Sequence, residues 1–592
     1  MSRPFLGVAT SATGRAWRAR LDLEGEARAE QIVARHGASD ALARVLAGRG
    51  GTVDSHEDDV DPRVQRLMPD PSVLTGMDAM ARRLANAVER GETVALFGDY
   101  DVDGATSCAL LATYLRGEGL DVAVHIPDRI TEGYGPNIPA IEGFAKAGRD
   151  LLVTLDCGTT SHAALGRAAE LGLPALVIDH HLAEPDLPPA VAIVNPNRQD
   201  DLSGLGHLCA AGVTFMVLVA LNRELRARGR FAGRPEPNLL ASTDLVALGT
   251  VADVVPLVGL NRAFVKRGLE IMRRRERVGL TALADVARVG GPPEPYHLGF
   301  LIGPRINAGG RIGDAALGAR LLATEDPDEA AGLAQTLDRL NRERQVIEKA
   351  TVDEAMAALA ALDPEDGTPA LALASGQGWH PGVVGLVAAR LKERFQRPAL
   401  AIAFDGDIGT GSARSIPGVD LGRAVREAVQ AGLLVKGGGH VMAAGLTVER
   451  GKLPELVAFL EAKLAASVAL ARSERALSID ALATASSATP DFVAELDRAG
   501  PFGSGRPEPV LAFAHHRVAF ADVVGEAHVR LTLEDGGGGR LKAIAFRVAD
   551  QPLGKALLGA RGRPIHVAGA LAIDRWQGNE TVQLRVLDVA VP

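Results

Sequence analysis

Three aspartates stand at alternate positions in one short stretch of this 592-residue chain, Asp99, Asp101 and Asp103, with a glycine on either side. Carboxylates this close repel one another unless a cation lies between them. A single aspartate in front of a helix is more often an N-cap than a ligand. Three at alternate positions, directly after an apolar segment, favour a metal site.

Other side chains of ligand type also follow apolar segments. They are Asp156, Asp179, His180, His181 and Asp253. Asp253 is an isolated acid among apolar residues, where an unpaired carboxylate is costly to bury. Mixed carboxylate and imidazole ligation favours Mn²⁺, Mg²⁺ or Fe²⁺ over a thiolate zinc site. Two such ions, about 3.5–4 Å apart, can support in-line displacement at a phosphate without a nucleophilic side chain.

Three glycine-rich loops in the second half carry groups that suit an anion. They are residues 375–385, 411–415 and 436–440, which contain His380, Ser412, Arg414, Gly438, Gly439 and His440. Glycine lets the backbone approach a ligand closely, and arginine can fork onto a phosphate. Each loop alone is weak evidence, since most such loops are turns, but three together indicate a phosphate- or nucleotide-binding surface.

A parallel sheet would bring the acidic residues together. Apolar segments alternate with helical patterns and predict strands at 93–97, 122–126, 151–155, 175–178 and 192–194. Carboxyl ends of parallel strands are where α/β sheets place their sites. A long helix at about 315–362, a second α/β block at about 369–470 and short alternating strands from about 477, typical of a small barrel, are predicted to follow.

Composition narrows the classes of protein that fit. Hydrophobic residues make up 47% and charged residues 23%, as in a globular protein of several domains. No secretory leader or membrane span is recognised, and three cysteines in no paired spacing suit the cytoplasm. The net charge of −9 argues weakly against a protein that coats nucleic acid. From charge alone, the basic residues between Arg262 and Arg277 are interpreted as a solvated helix face.

Seven motifs in order resemble the DHH phosphoesterases, and in particular those that act as single-stranded-DNA-specific exonucleases. The motifs are DYDVDG at 99–104, DCG at 156–158, DHH at 179–181, VADVVP at 251–256, GPRINA at 303–308, GWHPG at 378–382 and GGGH at 437–440. One Asp-His-His triplet would mean little, but the ordered set is specific.

The resemblance implies an α/β fold with a parallel-sheet DHH catalytic domain, a connecting helix, an α/β DHHA1 domain and a C-terminal OB-type β-barrel. The corresponding bounds are 1–76 for an N-terminal extension, 77–314 for the DHH domain, 315–365 for the connecting helix, 366–472 for the DHHA1 domain and 473–592 for the barrel. The implied activity is 5′→3′ exonucleolytic cleavage with two Mn²⁺ or Mg²⁺ ions, in DNA repair and recombination.

The same resemblance implies roles for individual residues. Asp101, Asp103, Asp156, His180 and Asp253 are expected to be metal ligands, with Asp156 as the bridging carboxylate. Asp99 and His181 either ligate or orient ligands and phosphate. Contacts with substrate are expected from Arg305, Asn307, Arg311, His380, Ser412, Arg414, Gly438, Gly439, His440 and Trp576.

Two other functions stay open at this point. Smaller DHH/DHHA1 enzymes degrade short oligoribonucleotides or cyclic dinucleotides, but they usually end before a barrel such as the one predicted here. Other relatives are non-catalytic replication scaffolds that have lost metal ligands, whereas all the expected ligand positions are intact in this chain. The expected partners are single-stranded DNA and, in addition, a single-strand-binding protein and a helicase, with the chain acting as a monomer.

Overall fold

The computed structural model describes residues 4–360, 369–576 and 579–592. They divide into two compact units. We call Met1–Met68, Pro256–Lys266 and Arg475–Pro592 the barrel unit, and Pro69–Val255 and Arg267–Glu474 the two-sheet unit. Within the described residues, no helix is both long and apolar enough to cross a membrane.

The first sheet of the two-sheet unit is parallel and has five strands. In spatial order these are Val122–His125, Val94–Gly98, Leu151–Leu155, Ala175–Ile178 and Ala192–Val194. In every strand except Val122–His125 both sets of alternate side chains are buried, so this part of the sheet is covered on both faces. Its helices are Met77–Arg90, Val102–Gly117, Ile138–Lys146, His162–Glu170 and Ala210–Ala227. The order in which strands are added reverses at Val94–Gly98, because the next strand in sequence, Val122–His125, lies on one side of it and Leu151–Leu155 lies on the other. This reversal creates a crevice at the carboxyl ends of these central strands.

A helical segment follows the first sheet. It consists of Thr243–Ala252, the part of helix Gly259–Met272 that follows Lys266, Val278–Val286, the π-helix His297–Ile302, Gly303–Ile312, Ala316–Ala323 and Pro327–Ala360. Short 3₁₀ turns lie at Pro71–Val73 and Leu239–Ser242 elsewhere in the unit. The single helix predicted at 315–362 is instead two helices. Asp326 Oδ1 accepts the amides of Asp328 (2.8 Å) and Glu329 (3.3 Å), so its side chain caps the start of a new helix.

The second sheet is mixed, with one parallel and three antiparallel pairings. Its strands, in spatial order, are Lys436–His440, Ala443–Glu449, Ile408–Arg414, Ala399–Asp405 and Ala372–Gln377. The helices Val384–Phe395, Leu421–Gln430 and Leu453–Ser473, with the 3₁₀ turn Arg450–Lys452, complete this part. The α/β block predicted at about 369–470 is therefore present.

The barrel unit contains a closed five-stranded barrel. Its strands are Leu511–Val524, His528–Glu534, Arg540–Ala545, Asn579–Ala590 and Pro564–Trp576, the last pairing back onto the first. The remaining strands are Ala481–Ala483 and the parallel pair Ala16–Ala19 and Ala476–Ile479. The helices are Phe5–Gly7, Leu23–His36, Asp40–Ala47, His56–Val60, Val64–Leu67, Pro490–Asp497 and Pro552–Gly559.

The first 68 residues belong to this barrel unit. Ile32, Leu42 and Leu46 share a hydrophobic core with barrel residues, and the Trp17 Nε1–H donates to Asp588 Oδ2 at 3.1 Å. The sequence predicted an extension without a stated partner. The strand pair Ala16–Ala19 with Ala476–Ile479 joins positions far apart in the chain, which local patterns do not predict.

Candidate active site

The acidic residues lie at the carboxyl ends of strands in the first sheet, close to the point where the strand order reverses. Asp99 follows Val94–Gly98 and Asp156 follows Leu151–Leu155, the neighbouring strand. Asp179 follows the next strand, Ala175–Ile178. Strand order therefore brings together side chains that the sequence separates.

Asp101, an expected metal ligand, is also the residue that caps the helix after the acidic stretch. It is the N-cap of helix Val102–Gly117, where its Oδ1 accepts the amides of Asp103 (2.9 Å) and Gly104 (3.1 Å). This cap orients the carboxylate toward the acidic cluster. Gly104 permits the turn, because a Cβ there would lie 2.3 Å from the carbonyl oxygen of Asp99.

Asp103 is completely buried, and a second helix supports it. Its Oδ2 accepts the amide of Ala210 at 2.6 Å and its Oδ1 that of Ala211 at 2.9 Å, at the start of helix Ala210–Ala227. Helix N-termini favour negative charge. Gly249 leaves the room, since a Cβ there would lie 2.7 Å from Asp103 Oδ1. Gly249 was not predicted, because the apolar segment around it offers no clear signal.

Ligand atoms from these elements converge in three overlapping groups. They are Asp99, Asp101 and Asp156; Asp103, His180 and Asp253; and Asp156, His180 and His181, each within 4.8 Å. His180 Nε2 lies 3.3 Å from Asp156 Oδ1, 3.6 Å from Asp253 Oδ2 and 3.9 Å from Asp103 Oδ2. Asp156 and His180 each belong to two groups, and of these two only Asp156 is a carboxylate, whose two oxygens suit a bridge between ions.

Buried polar atoms in the cluster lack hydrogen-bond partners. Among the described residues, Asp99 Oδ1, Asp156 Oδ1 and His180 Nε2 accept or donate none. Such atoms are normally satisfied in a folded protein. Asp156 also has a positive φ of 62°, an unfavourable conformation for a residue with a Cβ. A strained, unsatisfied set of carboxylate and imidazole atoms fits divalent cations well.

The protonation behaviour of the cluster agrees with that fit. Burial, and then the charges of Asp103 and Asp101, raise the pKa of Asp253 to about 9. Burial and neighbouring carboxylates likewise raise the pKa of Asp156. Burial lowers the pKa of His180, which keeps the ring neutral and its nitrogen available. The carboxylates can ionise together only when a cation compensates their charge.

Asp179 differs from the other acids because one of its oxygens lies within hydrogen-bond distance of a histidine side chain of the same Asp-His-His triplet. Its Oδ1 accepts the amide of His180 at 2.8 Å and lies 2.8 Å from His181 Nδ1, while its Oδ2 accepts the amide of Thr159 at 3.0 Å. Burial alone would raise the pKa of Asp179, but these hydrogen bonds hold it below its usual range. Asp179 therefore orients His181.

A loop after strand Val122–His125 contributes residues that the sequence analysis missed. The Tyr134 hydroxyl donates to the Asp156 carbonyl at 3.3 Å and lies 3.2 Å from His181 Nδ1. The Arg129 guanidinium lies over the Tyr100 ring, 4.8 Å from its centroid. The rule that identified Asp99 and Asp156, a polar loop at a strand's carboxyl end, could have identified this loop too.

Arg311 links the acidic cluster to the second sheet. Its Nη1 donates to the Gly382 carbonyl at 2.9 Å, beside His380. Burial and then the guanidinium groups of Arg129, Arg344 and Arg414 lower the pKa of Arg311 to about 10. Mutual repulsion among these cations would be relieved by a bound anion such as a phosphate.

Arg305 and Asn307 lie on the same helix, Gly303–Ile312, in different settings. Arg305 Nε donates to Asp338 at 3.0 Å and its Nη1 to the Leu301 carbonyl at 2.7 Å. Asn307 is partly exposed. Both predicted substrate residues thus lie on the helix that ends near Arg311, with the Arg305 guanidinium already paired and Asn307 open in part to solvent.

Ser412 and Arg414 lie against the start of helix Val384–Phe395. Arg414 Nη1 donates to Ser412 Oγ at 2.9 Å. A Cβ on Gly385 would lie 2.9 Å from Arg414 Nη2 and 3.1 Å from Ser412 Oγ, so a larger residue there would displace the guanidinium from its present position. A guanidinium, a hydroxyl and a helix N-terminus together suit an anion.

These groups surround one cavity of about 610 Å³, whose lining includes Arg129, Gly382, Ser412, Lys436 and Gly438. His380 Nδ1 accepts the Gly382 amide at 3.1 Å. The remaining predicted residues of this sheet, Gly439 and His440, end strand Lys436–His440, with the His440 side chain exposed. The Trp576 side chain lies outside the part of the chain that the structure describes.

Three family profiles match the chain in the order of its parts. The DHH family N-terminal domain matches residues 93–250, the DHHA1 domain residues 367–466 and the RecJ OB domain residues 479–588. The first contains the acidic cluster except Asp253, and the second contains Ser412 and Arg414.

Several proteins are similar to this chain over most of its length, in sequence or in structure. The single-stranded-DNA-specific exonuclease RecJ of Escherichia coli is 36% identical over 568 residues, which cover 92% of this chain and 94% of that protein. The Mn²⁺ complex of RecJ from Thermus thermophilus superposes with a TM-score of 0.80 at 32% identity, covering 97% of this chain and 79% of that one. Its Mg²⁺ complex gives a TM-score of 0.75 at 30% identity, covering 97% and 78%.

Proposed function

This chain belongs to the RecJ family of DHH phosphoesterases, and from that premise we propose that it is a metal-dependent exonuclease that hydrolyses single-stranded DNA from the 5′ end. One observation carries the proposal. Buried side-chain atoms of Asp99, Asp156 and His180 that have no hydrogen-bond partner converge at the point where the strand order of the parallel sheet reverses. Intact ligand positions argue against a non-catalytic scaffold.

Asp99, Asp101, Asp103, Asp156, His180 and Asp253 would hold two Mn²⁺ or Mg²⁺ ions, a set supported by the overlapping ligand groups. When bound, two such ions activate a water molecule and stabilise charge on the phosphate oxygens. Asp156, the carboxylate that belongs to two of these groups, is suited to bridge them. Asp179 and Tyr134 fix the His181 ring at the edge of the cluster, where it can contact the phosphate.

The terminal phosphate would be bound on the second sheet. Ser412, Arg414 and the start of helix Val384–Phe395 supply hydrogen-bond donors, and Arg311 lies between this pocket and the acidic cluster. A strand held by its 5′ phosphate would present the adjacent phosphodiester to the metals. Further contacts are proposed for Arg305, Asn307, His380, Gly438, Gly439, His440 and Trp576.

The finer assignments rest on the sequence. We propose the functional bounds 77–314, 315–365, 366–472 and 473–592, preceded by 1–76. A monomeric state, a cytoplasmic location and interactions with a single-strand-binding protein and a helicase are likewise proposals.

The test compares cleavage of 5′-phosphorylated and 3′-phosphorylated single strands, duplex DNA and dinucleotides, in Mn²⁺ and in Mg²⁺. We expect rapid loss of nucleotides from the 5′ end of single strands alone. Arg414→Ala should lower kcat/KM on the 5′-phosphorylated strand about 10–100-fold, as for a charge-assisted hydrogen bond. The exposed Arg423→Ala is the matched control. Efficient cleavage of dinucleotides with an untouched long strand would overturn the proposal.

A further inference from the structure

Two aromatic rings on the surface of the two-sheet unit stack on each other without being buried. The Tyr296 and Phe300 ring centroids lie 5.2 Å apart with planes inclined by 22°. Their exposed fractions are 58% and 69%. Leu298 and Ile302, on the other side of the same turn, are fully buried. The turn therefore packs through its aliphatic side and presents its aromatic side outward.

This turn is anchored close to a proposed metal ligand. A Cβ on Gly299 would lie 3.4 Å from Val251 Cγ1, and one on Gly303 would lie 3.5 Å from the Cβ of Ala252. Ala252 directly precedes Asp253. The π-helical geometry of His297–Ile302 is uncommon and is often associated with functional sites. The turn that carries the aromatic pair thus packs against the residues that directly precede Asp253.

Positive charge adjoins the pair. Arg305 Nη1 donates to the carbonyl of Leu301, the residue after Phe300, at 2.7 Å. The side chains of Arg305 and Arg342 both pair with Asp338, and the Arg342 side chain is 74% exposed. Two guanidinium groups share this one carboxylate, so the three side chains together carry a net positive charge, and Arg305 connects them to the residue after Phe300. Stacking rings beside cations are the combination that binds bases and backbone of a single strand.

We propose that Tyr296 and Phe300 form a stacking platform for bases of single-stranded DNA, with Arg305 and Arg342 contacting the adjoining backbone. This inference rests on the proposed function and adds to it a base-binding surface outside the metal cluster and the phosphate pocket. Because every base has a stacking face, the platform binds without regard to sequence.

The test measures KM and kcat of the full-length protein on a long 5′-phosphorylated single strand. Phe300→Ala, and more strongly Tyr296→Ala with Phe300→Ala, should raise KM about 10-fold or more with kcat nearly unchanged. Phe300→Trp, which keeps a stacking face, should restore KM. Leu202→Ala is the control for loss of an exposed apolar side chain, since Leu202 is 93% exposed.

Abasic positions in the DNA strand distinguish the loss of base stacking from other effects of the substitutions on the protein. One abasic position should raise the KM of the wild type by a similar factor and cause little further loss in the double variant. The platform proposal would be overturned by an unchanged KM in the double variant, or by an abasic position that raises KM equally in the wild type and the double variant. Neither result would affect the proposed exonuclease function. A wild type that cleaves no single strand would instead refute the proposed function.

Discussion

His181 Nδ1 lies 2.8 Å from Asp179 Oδ1, and this pair fixes the ring at the edge of the acidic cluster. Burial alone would lower the pKa of His181, but the hydrogen bond and charge of Asp179 raise it to about 9. Asp179 is therefore a positioning residue, although it begins the Asp-His-His triplet.

Replacing Asp179 tests that role. Asp179→Asn removes the charge that holds the ring, and we expect kcat on single-stranded DNA to fall about 10–100-fold, the usual effect of losing an orienting partner. Mn²⁺ should still bind with both ions present. The exposed Asp186→Asn should leave kcat unchanged. Complete loss of Mn²⁺ binding would show that Asp179 is itself a ligand.

The raised pKa of Asp253, about 9, predicts how pH affects the metal-free protein. The folded chain keeps a proton there that the unfolded chain releases above its ordinary pKa of about 3.9. The Tm of the metal-free protein should therefore fall as pH rises from 7 through 9. His181, with a pKa of about 9, acts in the same direction.

Metal ions replace those protons, so the increase in Tm caused by Mn²⁺ should grow over the same pH range. Differential scanning calorimetry with and without Mn²⁺ measures both effects. Asp253→Asn removes one titrating carboxyl and should make the dependence shallower, with the contribution of His181 remaining. A Mn²⁺ shift that is the same at pH 7 and pH 9 would contradict the assignment.

Gly104 tests the tight turn beneath the cluster. Gly104→Ala places a Cβ 2.3 Å from the Asp99 carbonyl oxygen, so backbone must move. We expect a loss of about 1–3 kcal/mol in the free energy of unfolding, with weaker Mn²⁺ binding. Gly117→Ala, at the other end of the same helix, meets open space and should be neutral or stabilising by up to about 1 kcal/mol. If urea unfolding shows the same change in free energy for Gly104→Ala and Gly117→Ala, the steric explanation is wrong.

Asp480 tests the connection between the first 68 residues and the barrel. Its buried Oδ1 lies 2.8 Å from Arg20 Nε and 2.7 Å from Arg49 Nη1. Asp480→Ala leaves two guanidinium groups without their carboxylate and should cost about 3–5 kcal/mol. The exposed pair of Lys349 and Asp353 provides the control, because Asp353→Ala should change stability by less than about 1 kcal/mol. Similar losses in both variants would be inconsistent with a buried network.

The sequence predicted the parallel sheet and its acidic residues well because both depend on short-range patterns. Apolar segments locate the strands, and Asp99 and Asp156 directly follow them. It did not predict the partners of Arg262, which was interpreted as part of a solvated face. Arg262 is buried and donates to the carbonyls of Asp59, Ala499 and Gly500. Those contacts join distant segments, and residue type alone gives no sign of them.

The central claim is that the acidic cluster holds two ions through a shared Asp156. Equilibrium titration with Mn²⁺, followed by the electron paramagnetic resonance of free ion, tests it most directly. The wild type should bind two ions per chain, and a folded Asp156→Asn variant should lose affinity for both and lose cleavage of single-stranded DNA with them. Binding of both ions with undiminished affinity by Asp156→Asn, or cleavage that survives the substitution, would contradict the account.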